Sequence, residues 1–534
     1  MKHCIFLIAS FLLTFATEIV AQDKSKPNIL FIAVDDLKPI LGCYGNSMIK
    51  TPNIDRLAKM GTVFMSNYVQ QAVCGPTRAS LMTGMRPDYT KVWDLKTRMR
   101  DINPDILSLP QHLTTQGYTT QGIGKVYDQR CVDKDLDKPS WSVPYYKTDI
   151  KYHGSYGEPA EGRYQLPETK ALAEKYIKEA LGNGKTKAEA NEYVQTKIKP
   201  SVENADVADY AYVDGANTLQ AIDILRQLKI KNQPFFFAVG ISKPHLPFVA
   251  PKKYWDLYKR EDMPLEPFQE KSKNAVDIAY HNAGELRGYT DIPPLTSFTD
   301  QKPYGITLPI DKQKELIHGY YAAISYMDAQ VGKLLSTLDS LALTKNTIIV
   351  LWGDHGWHLG DHNLWCKHTN FEQATRAPLI IAFPGIAPSK TDAQSEHIDI
   401  FPTICDLAGV TIPSTLDGKS LVPLMKNPAA SVKEYSVSQY PRSGATAENE
   451  RLGYADPNAM GYSIRTKQYR YTIWMGNGYR SNKAFNKEQM IGAELYDYKK
   501  DPNETTNVVN EKKYKGVAEE MHGKMITFLK SQLK

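Results

Sequence analysis

Four short apolar runs set the tightest limit on what this chain can fold into. They are NILFIAV (Asn28–Val34), FFFAVGI (Phe235–Ile241), TIIVLW (347–352) and LIIAF (379–383). None alternates apolar with polar residues. A strand with one wet face alternates with period 2, whereas a strand covered on both faces reads as a continuous apolar run. The runs therefore predict buried parallel strands. Helical patterns lie between them, at 206–228 and 313–343, with a shorter one at 398–408. Strands alternating with helices imply a three-layer α/β fold around a mainly parallel sheet.

The stretch 159–200 is rich in Lys and Glu, is weakly helical and reads as a surface insertion. The last hundred or so residues change character. Residues 462–475 (YSIRTKQYRYTIWM) and 494–498 look like antiparallel strands, and a helix is expected near 517–533. The organisation expected is a leader at 1–21, a large α/β domain at 22–425 and a smaller C-terminal α+β subdomain at 426–534.

The leader reads MKHCIFLIASFLLTFATEIVAQ, with Lys2 before an apolar run from about Ile5 to Phe15 and a small Ala21. This is the pattern of a cleaved signal peptide, and the run is too short to span a bilayer. No second apolar stretch reaches membrane length, so the expected product is exported, either secreted or periplasmic. Of six cysteines, Cys4 leaves with the leader. The other five (Cys43, Cys74, Cys131, Cys366 and Cys405) show no C-x-x-C and no zinc spacing. An odd number leaves at least one unpaired, and Cys74 is the candidate. A net charge of +6 is compatible with a polyanionic ligand. No Lys/Arg block points to nucleic acid.

Chemistry-bearing residues recur where the strands end, which is where parallel sheets bind ligands. The first run leads into Asp35-Asp36. Adjacent carboxylates repel unless a cation lies between them, so the pair reads as a hard-metal site or as a solvated turn. The third run leads into Gly353-Asp354-His355-Gly356, which could turn two more ligands toward one ion. Three carboxylates and an imidazole suit a calcium- or magnesium-like ion less cleanly than an all-oxygen set, which leaves the metal's identity open. In AVCGPTRASLMTGMRP (72–87), Pro76 suits the first turn of a helix. Cys74 then sits at the helix N-terminus, where an anion is favoured, and Arg78 adds a cation one turn on. His245 lies between two prolines in KPHLP (243–247), read as a rigid extended segment. Lys125 follows the apolar stretch around Ile123, and Lys367 lies thirteen residues past Asp354. Converging beside a metal, these cations would form an oxyanion clamp. Each alone is an ordinary surface charge.

These residues resemble the sulfatase family. Cys74-Gly75-Pro76-Thr77-Arg78, followed by Leu81-Met82-Thr83-Gly84, is similar to the C-x-P-x-R signature with its trailing T-G. Gly117-Tyr118 through Gly124-Lys125 resembles the second signature. LGCYG (41–45), SQYPR (438–442) and MGYSIRT (460–466) resemble the iduronate-2-sulfatase branch. The resemblance implies an alkaline-phosphatase-like core and hydrolysis of sulfate esters. It implies oxidation of Cys74 to formylglycine by a separate maturation enzyme. It also implies a calcium ion held by Asp35, Asp36, Asp354, His355 and residue 74. Arg78 and Lys125 would hold the hydrated aldehyde, and His245 and Lys367 would contact the sulfate and help the leaving oxygen depart. One hydroxyl of the hydrate would attack sulfur, and the second would let sulfate be expelled. The base for that expulsion is usually a His, and here the position is Asp128. Asp128 either replaces that base or is a loop residue paired with Lys125 or Arg130.

The expected substrate is a sulfated polysaccharide or its oligosaccharides, either a 2-O-sulfated uronate of heparan or dermatan type or an ulvan-type algal sugar. Two other readings are a phosphodiester or phosphonate monoester hydrolase of the same fold and a non-catalytic sugar-binding protein.

Overall fold

The computed structural model describes residues 26–146, 163–281, 283–293, 308–443, 458–476 and 489–532. The proposed leader lies outside these residues. Seven strands form the main sheet: β1 (Asn28–Val34), β2 (Thr62–Tyr68), β3 (Thr119–Gly124), β4 (Phe235–Ile241), β5 (Thr347–Gly353), β6 (Leu379–Ala382) and β7 (Ser389–Glu396). Their order across the sheet is β7-β2-β6-β5-β1-β4-β3. β1 is central, parallel to β4 on one side and to β5 on the other.

Every residue of β1, β4 and β5 is buried, as the unbroken apolar runs require. The three layers follow from β1 itself, because successive side chains point to opposite faces of a strand. Leu30, Ile32 and Val34 join one core, built against α4 (Val213–Lys231) and α5 (Ile310–Ser340). Ile29, Phe31 and Ala33 join the other, against α1 (Cys74–Thr83) and α6 (Ile400–Ala408).

One expected parallel strand runs the other way. β6 is antiparallel to both β5 and β2. An apolar run reports burial on both faces and carries no information about chain direction. The surface stretch forms two helices, α2 (Pro167–Gly182) and α3 (Lys187–Lys197), each exposed along most of its length.

A second, wholly antiparallel sheet has the order β8 (Ser436–Ser443), β9 (Asn458–Arg465), β10 (Tyr469–Met475) and β11 (Met490–Asp497). The run 462–475 thus divides into two strands joined by a tight turn. Helix α7 (Lys515–Ser531) packs Met521, Met525 and Phe528 against this sheet. Its β8 edge leans on the main sheet, where Gln439 N donates to Gln70 O at 2.7 Å and Ser438 Oγ to Val69 O at 2.6 Å. All five cysteines among the described residues are free and buried, so Cys74 is not distinguished by being unpaired. Among the described residues no helix is long and apolar enough to cross a membrane.

Candidate active site

Asp35 and Asp36 leave the end of β1, and Asp354 and His355 leave the end of its neighbour β5. Asp36 N donates to Asp354 Oδ1 at 2.9 Å, which ties the two strand ends together. Asp36 has φ 57, a left-handed conformation that Asp tolerates better than most side chains. All four side chains are fully buried. Beside them is Cys74, the first residue of α1, whose Sγ is 3.5 Å from His355 Nε2.

Arg78 projects from the same helix and uses every nitrogen. Nε donates to Asp354 Oδ2 (3.0 Å), Nη2 to Asp35 Oδ1 (2.9 Å), and Nη1 to the carbonyls of Lys125 and Val126. Lys125 follows β3, and its Nζ donates to Asp35 Oδ2 at 2.5 Å. The approach of β3 to β4 needs glycine at both strand ends. A Cβ on Gly124 (φ 77) would lie 2.0 Å from Gly240 O, and one on Gly240 would lie 2.1 Å from the Lys125 carbonyl carbon.

Lys367 Nζ reaches Asp36 Oδ1 (2.9 Å) and Oδ2 (3.0 Å). It sits between Cys366 and His368, both at φ 75. Non-glycine residues in this region cluster at functional sites. His245 sits in a turn, its N–H donating to Ser242 O at 2.9 Å, and not in the extended segment that its flanking prolines suggest. The fold thus brings Cys74, Arg78, Lys125, His245, Lys367, Asp35, Asp36, Asp354 and His355 into one cluster.

Glu285, in the short helix Gly284–Arg287, had no signal in the sequence. Its Oε1 lies 3.1 Å from His245 Nε2 and 3.2 Å from Lys367 Nζ, and its Oε2 lies 3.1 Å from the same Nζ. Asp128, just past Lys125, is also buried. Its carboxylate accepts from Arg130 Nε (2.9 Å), Nη2 (2.7 Å) and backbone N (3.0 Å).

Burial alone would raise every carboxyl here, and the cations sort them. Lys125 and Arg78 override burial at Asp35 and hold it well below the usual carboxylate range. Burial, with the charges of Asp35 and Glu285 added, pushes Asp36 up to about 7 against the pull of Lys367. Lys367 and His245 hold Glu285 well below its usual range despite burial. The hydrogen bonds from Arg130, with the Lys125 charge, bring Asp128 below its usual value against burial. The upward shift a carboxylate base needs near neutral pH is absent there. Burial and the Asp35 charge push the Cys74 thiol well up, so an unmodified Cys74 is a neutral thiol and not a thiolate nucleophile.

The donor set suits a cation. His355 Nδ1 lies 3.0 Å from Gly356 O, a contact that places a proton on Nδ1. Its Nε2 faces Asp36 Oδ1 at 3.3 Å and Asp354 Oδ1 at 3.5 Å. Two carboxylates and a ring nitrogen gathered this closely can share one divalent cation. Ligand atoms of Asp36, Cys74, Asp354 and His355 all lie within 4.8 Å of one another, and so do those of Asp35, Asp36, Cys74 and His245.

Residues 27–410 match the sulfatase family model, and residues 360–531 match the C-terminal model of N-sulphoglucosamine sulphohydrolase. The chain belongs to the sulfatase family, enzymes that hydrolyse sulfate esters. Iduronate 2-sulfatase of Homo sapiens is 32% identical over 544 residues, covering 91% of each chain. The phosphonate monoester hydrolase of Agrobacterium radiobacter superposes with a TM-score of 0.67 at 22% identity, over 95% of this chain and 96% of that one. A protein solved with its substrate D-glucosamine-2-N,6-O-disulfate gives 0.66 at 21% identity, over 95% and 98%. At those identities the two structures show the shared alkaline-phosphatase-like fold.

Proposed function

We propose that this chain is an exported enzyme that removes sulfate from a sulfated polysaccharide or its oligosaccharides, with a 2-O-sulfated uronate as the first substrate to test. The observation that carries this reading is the cluster around Cys74. One residue at a helix N-terminus lies in a group of carboxylates and a histidine that could hold a metal ion, with Arg78, Lys125, Lys367 and His245 paired to its acids. The similarity to iduronate 2-sulfatase over nine-tenths of the chain supports the sugar class. The same reading takes 1–21 as a removed leader, 22–425 as the catalytic domain and 426–534 as the C-terminal subdomain.

Asp35, Asp36, Asp354 and His355 would hold calcium, which would supply Lewis acidity toward a sulfate oxygen. Cys74, oxidised by a maturation enzyme, would supply the hydrated aldehyde that carries the attacking hydroxyl. The remaining work falls to the chain's own side chains. Arg78 is fully buried and spent on Asp35, Asp354 and two carbonyls, so it fixes the geometry of the strand ends. Lys125 and His245 keep about a quarter of their side-chain surface exposed, and Lys367 shares Asp36 and Glu285 with His245. On this reading these three would meet the sulfate oxygens, and His245 Nε2 would serve the departing alcohol.

Two measurements test the reading. Mass spectrometry of the peptide containing Cys74, from protein made with a maturation enzyme, should show the aldehyde. Turnover of an aryl sulfate, of defined 2-O-sulfated uronate oligosaccharides and of ulvan oligosaccharides should fall at least about 1000-fold in Cys74→Ala, with the fold intact. Retained turnover in that variant defeats the proposal. A preference for an aryl phosphonate over the matched aryl sulfate would move the chain to the phosphonate hydrolases.

A further inference from the structure

The Asp128–Arg130 pair has no part in the cluster around Cys74, yet it is built against it. The loop that follows β3 wraps the N-terminus of α1 at two points. Arg78 Nη1 holds the carbonyls of Lys125 and Val126 from inside. Cys131 presses on Gly75 so closely that a Cβ there would lie 2.3 Å from Cys131 Sγ. Between those points Cys131 N donates to Asp128 O at 3.0 Å, closing a turn that contains Arg130. Arg130 is therefore fixed one residue from the contact with Gly75, itself next to Cys74. Arg130 and Cys74 are near enough to interact electrostatically, Cys74 being one of the groups that raise the Arg130 pKa.

The two partners differ sharply in exposure. The Asp128 side chain is 2% exposed and the Arg130 side chain 49%. Asp128 takes the Nε–Nη2 edge of the guanidinium and the Arg130 backbone N–H as well. Among the described residues no acceptor bonds Nη1. A buried carboxylate gripping one edge of a half-exposed guanidinium holds the other edge in a fixed direction at little further entropic cost. A free edge of this kind recognises carboxylate or sulfate oxygens.

We propose that Arg130, clamped by Asp128, is a specificity residue that binds a second anionic group of the sulfate ester, beside the group being cleaved. Asp128 is then a positioning residue. The proposal rests on the sulfatase reading of the Cys74 site and narrows it to substrates that carry a further carboxylate or sulfate.

The test compares three sulfate esters: an aryl sulfate with no second charged group, a 2-O-sulfated uronate and a disulfated neutral sugar. In Arg130→Met, kcat/KM for the doubly anionic esters should fall at least about 10-fold further than for the aryl sulfate, mainly through KM. Whichever of the uronate and the disulfate loses more identifies the anion. Arg130→Met leaves Asp128 buried without its partner, so the double variant Asp128→Asn/Arg130→Met, which removes both charges, should show the same selective loss. Arg130→Lys, with its charge but not its fork, should fall between. Equal losses on all three esters, or no loss on any, overturn the proposal. So does a burst of alcohol followed by a stalled rate in Asp128→Asn, with one sulfate added to the intact mass, since that marks Asp128 as the base. If the wild-type enzyme with its aldehyde formed cleaves none of the three, the sulfatase reading itself fails and this proposal goes with it.

Discussion

Glu285 and Arg78 show two ways in which one buried side chain governs several others. Arg78 is saturated by acceptors and closes the strand ends together. Glu285 does the converse, with one carboxylate serving two groups proposed to meet the sulfate. It reaches both Lys367 Nζ and His245 Nε2 while Lys367 also reaches Asp36. Glu285→Gln keeps the shape and loses the charge, so Lys367 should swing toward Asp36 and His245 should lose its fixed orientation. Partners of this kind, one contact removed from the reacting atoms, are worth about 10- to 100-fold. We expect a fall of that size in kcat with a smaller change in KM, and Glu285→Asp should recover part of it. Steady-state kinetics on an aryl sulfate, beside thermal melts of each variant, separate this from a loss of stability. A matched fall in stability with unchanged kcat would show that Glu285 only packs.

The junction between the two sheets depends on the end of β7. Glu396, its last residue, is buried and accepts from Arg86 Nη1 (2.8 Å) and Nη2 (2.9 Å), Lys433 Nζ (2.6 Å) and Val437 N in β8 (2.9 Å). Burial raises its pKa, but Arg86 and Lys433 bring it down from 4.5 to about 2. A carboxyl depressed by folding stabilises above its unfolded value and loses that contribution as pH falls through its folded value. The junction should therefore weaken as pH drops from about 4.5 toward about 2. Glu396→Gln leaves buried Arg86 without its carboxylate and Lys433 with Asp399 alone, and should cost about 3–5 kcal/mol, read by urea unfolding at neutral pH. Part of its deficit should vanish in acid. None of this was legible from residues 389–396, where SKTDAQSE, an edge strand, reads as a loop. β1, β4 and β5 were legible because both of their faces are covered, and the residues following β1 and β5 stand out for the same reason. The direction of β6 was not, since apolarity has no polarity of sequence. Glu285 and the grip of Arg130 on Asp128 were not, since both depend on contacts that only the folded chain makes.

The proposed metal site draws on the ends of β1 and β5 and the start of α1, elements separated by up to several hundred residues in sequence. The unfolded chain cannot assemble it, so a bound ion stabilises only the native state. That gain is about 2.7 kcal/mol at a hundredfold excess over Kd. Removing calcium with a chelator should lower the melting temperature, and adding it back should restore it. The pH dependence gives a sharper form. Without metal, Asp36 carries a carboxyl raised from 3.8 to about 7. A raised carboxyl binds its proton more tightly in the folded state than in the unfolded one. The metal-free protein therefore loses stability as pH rises from about 4 to about 7. A divalent ion reverses that penalty, because it needs Asp36 deprotonated and proton and metal compete for the same oxygens. The gap in melting temperature between the calcium-loaded and chelated protein should widen from pH 6 to pH 8. In Asp36→Asn the gap should shrink and lose its pH dependence. An equal gap at both pH values in the wild type would remove Asp36 from the ligand set, and no gap at either would leave the acidic cluster without a metal role.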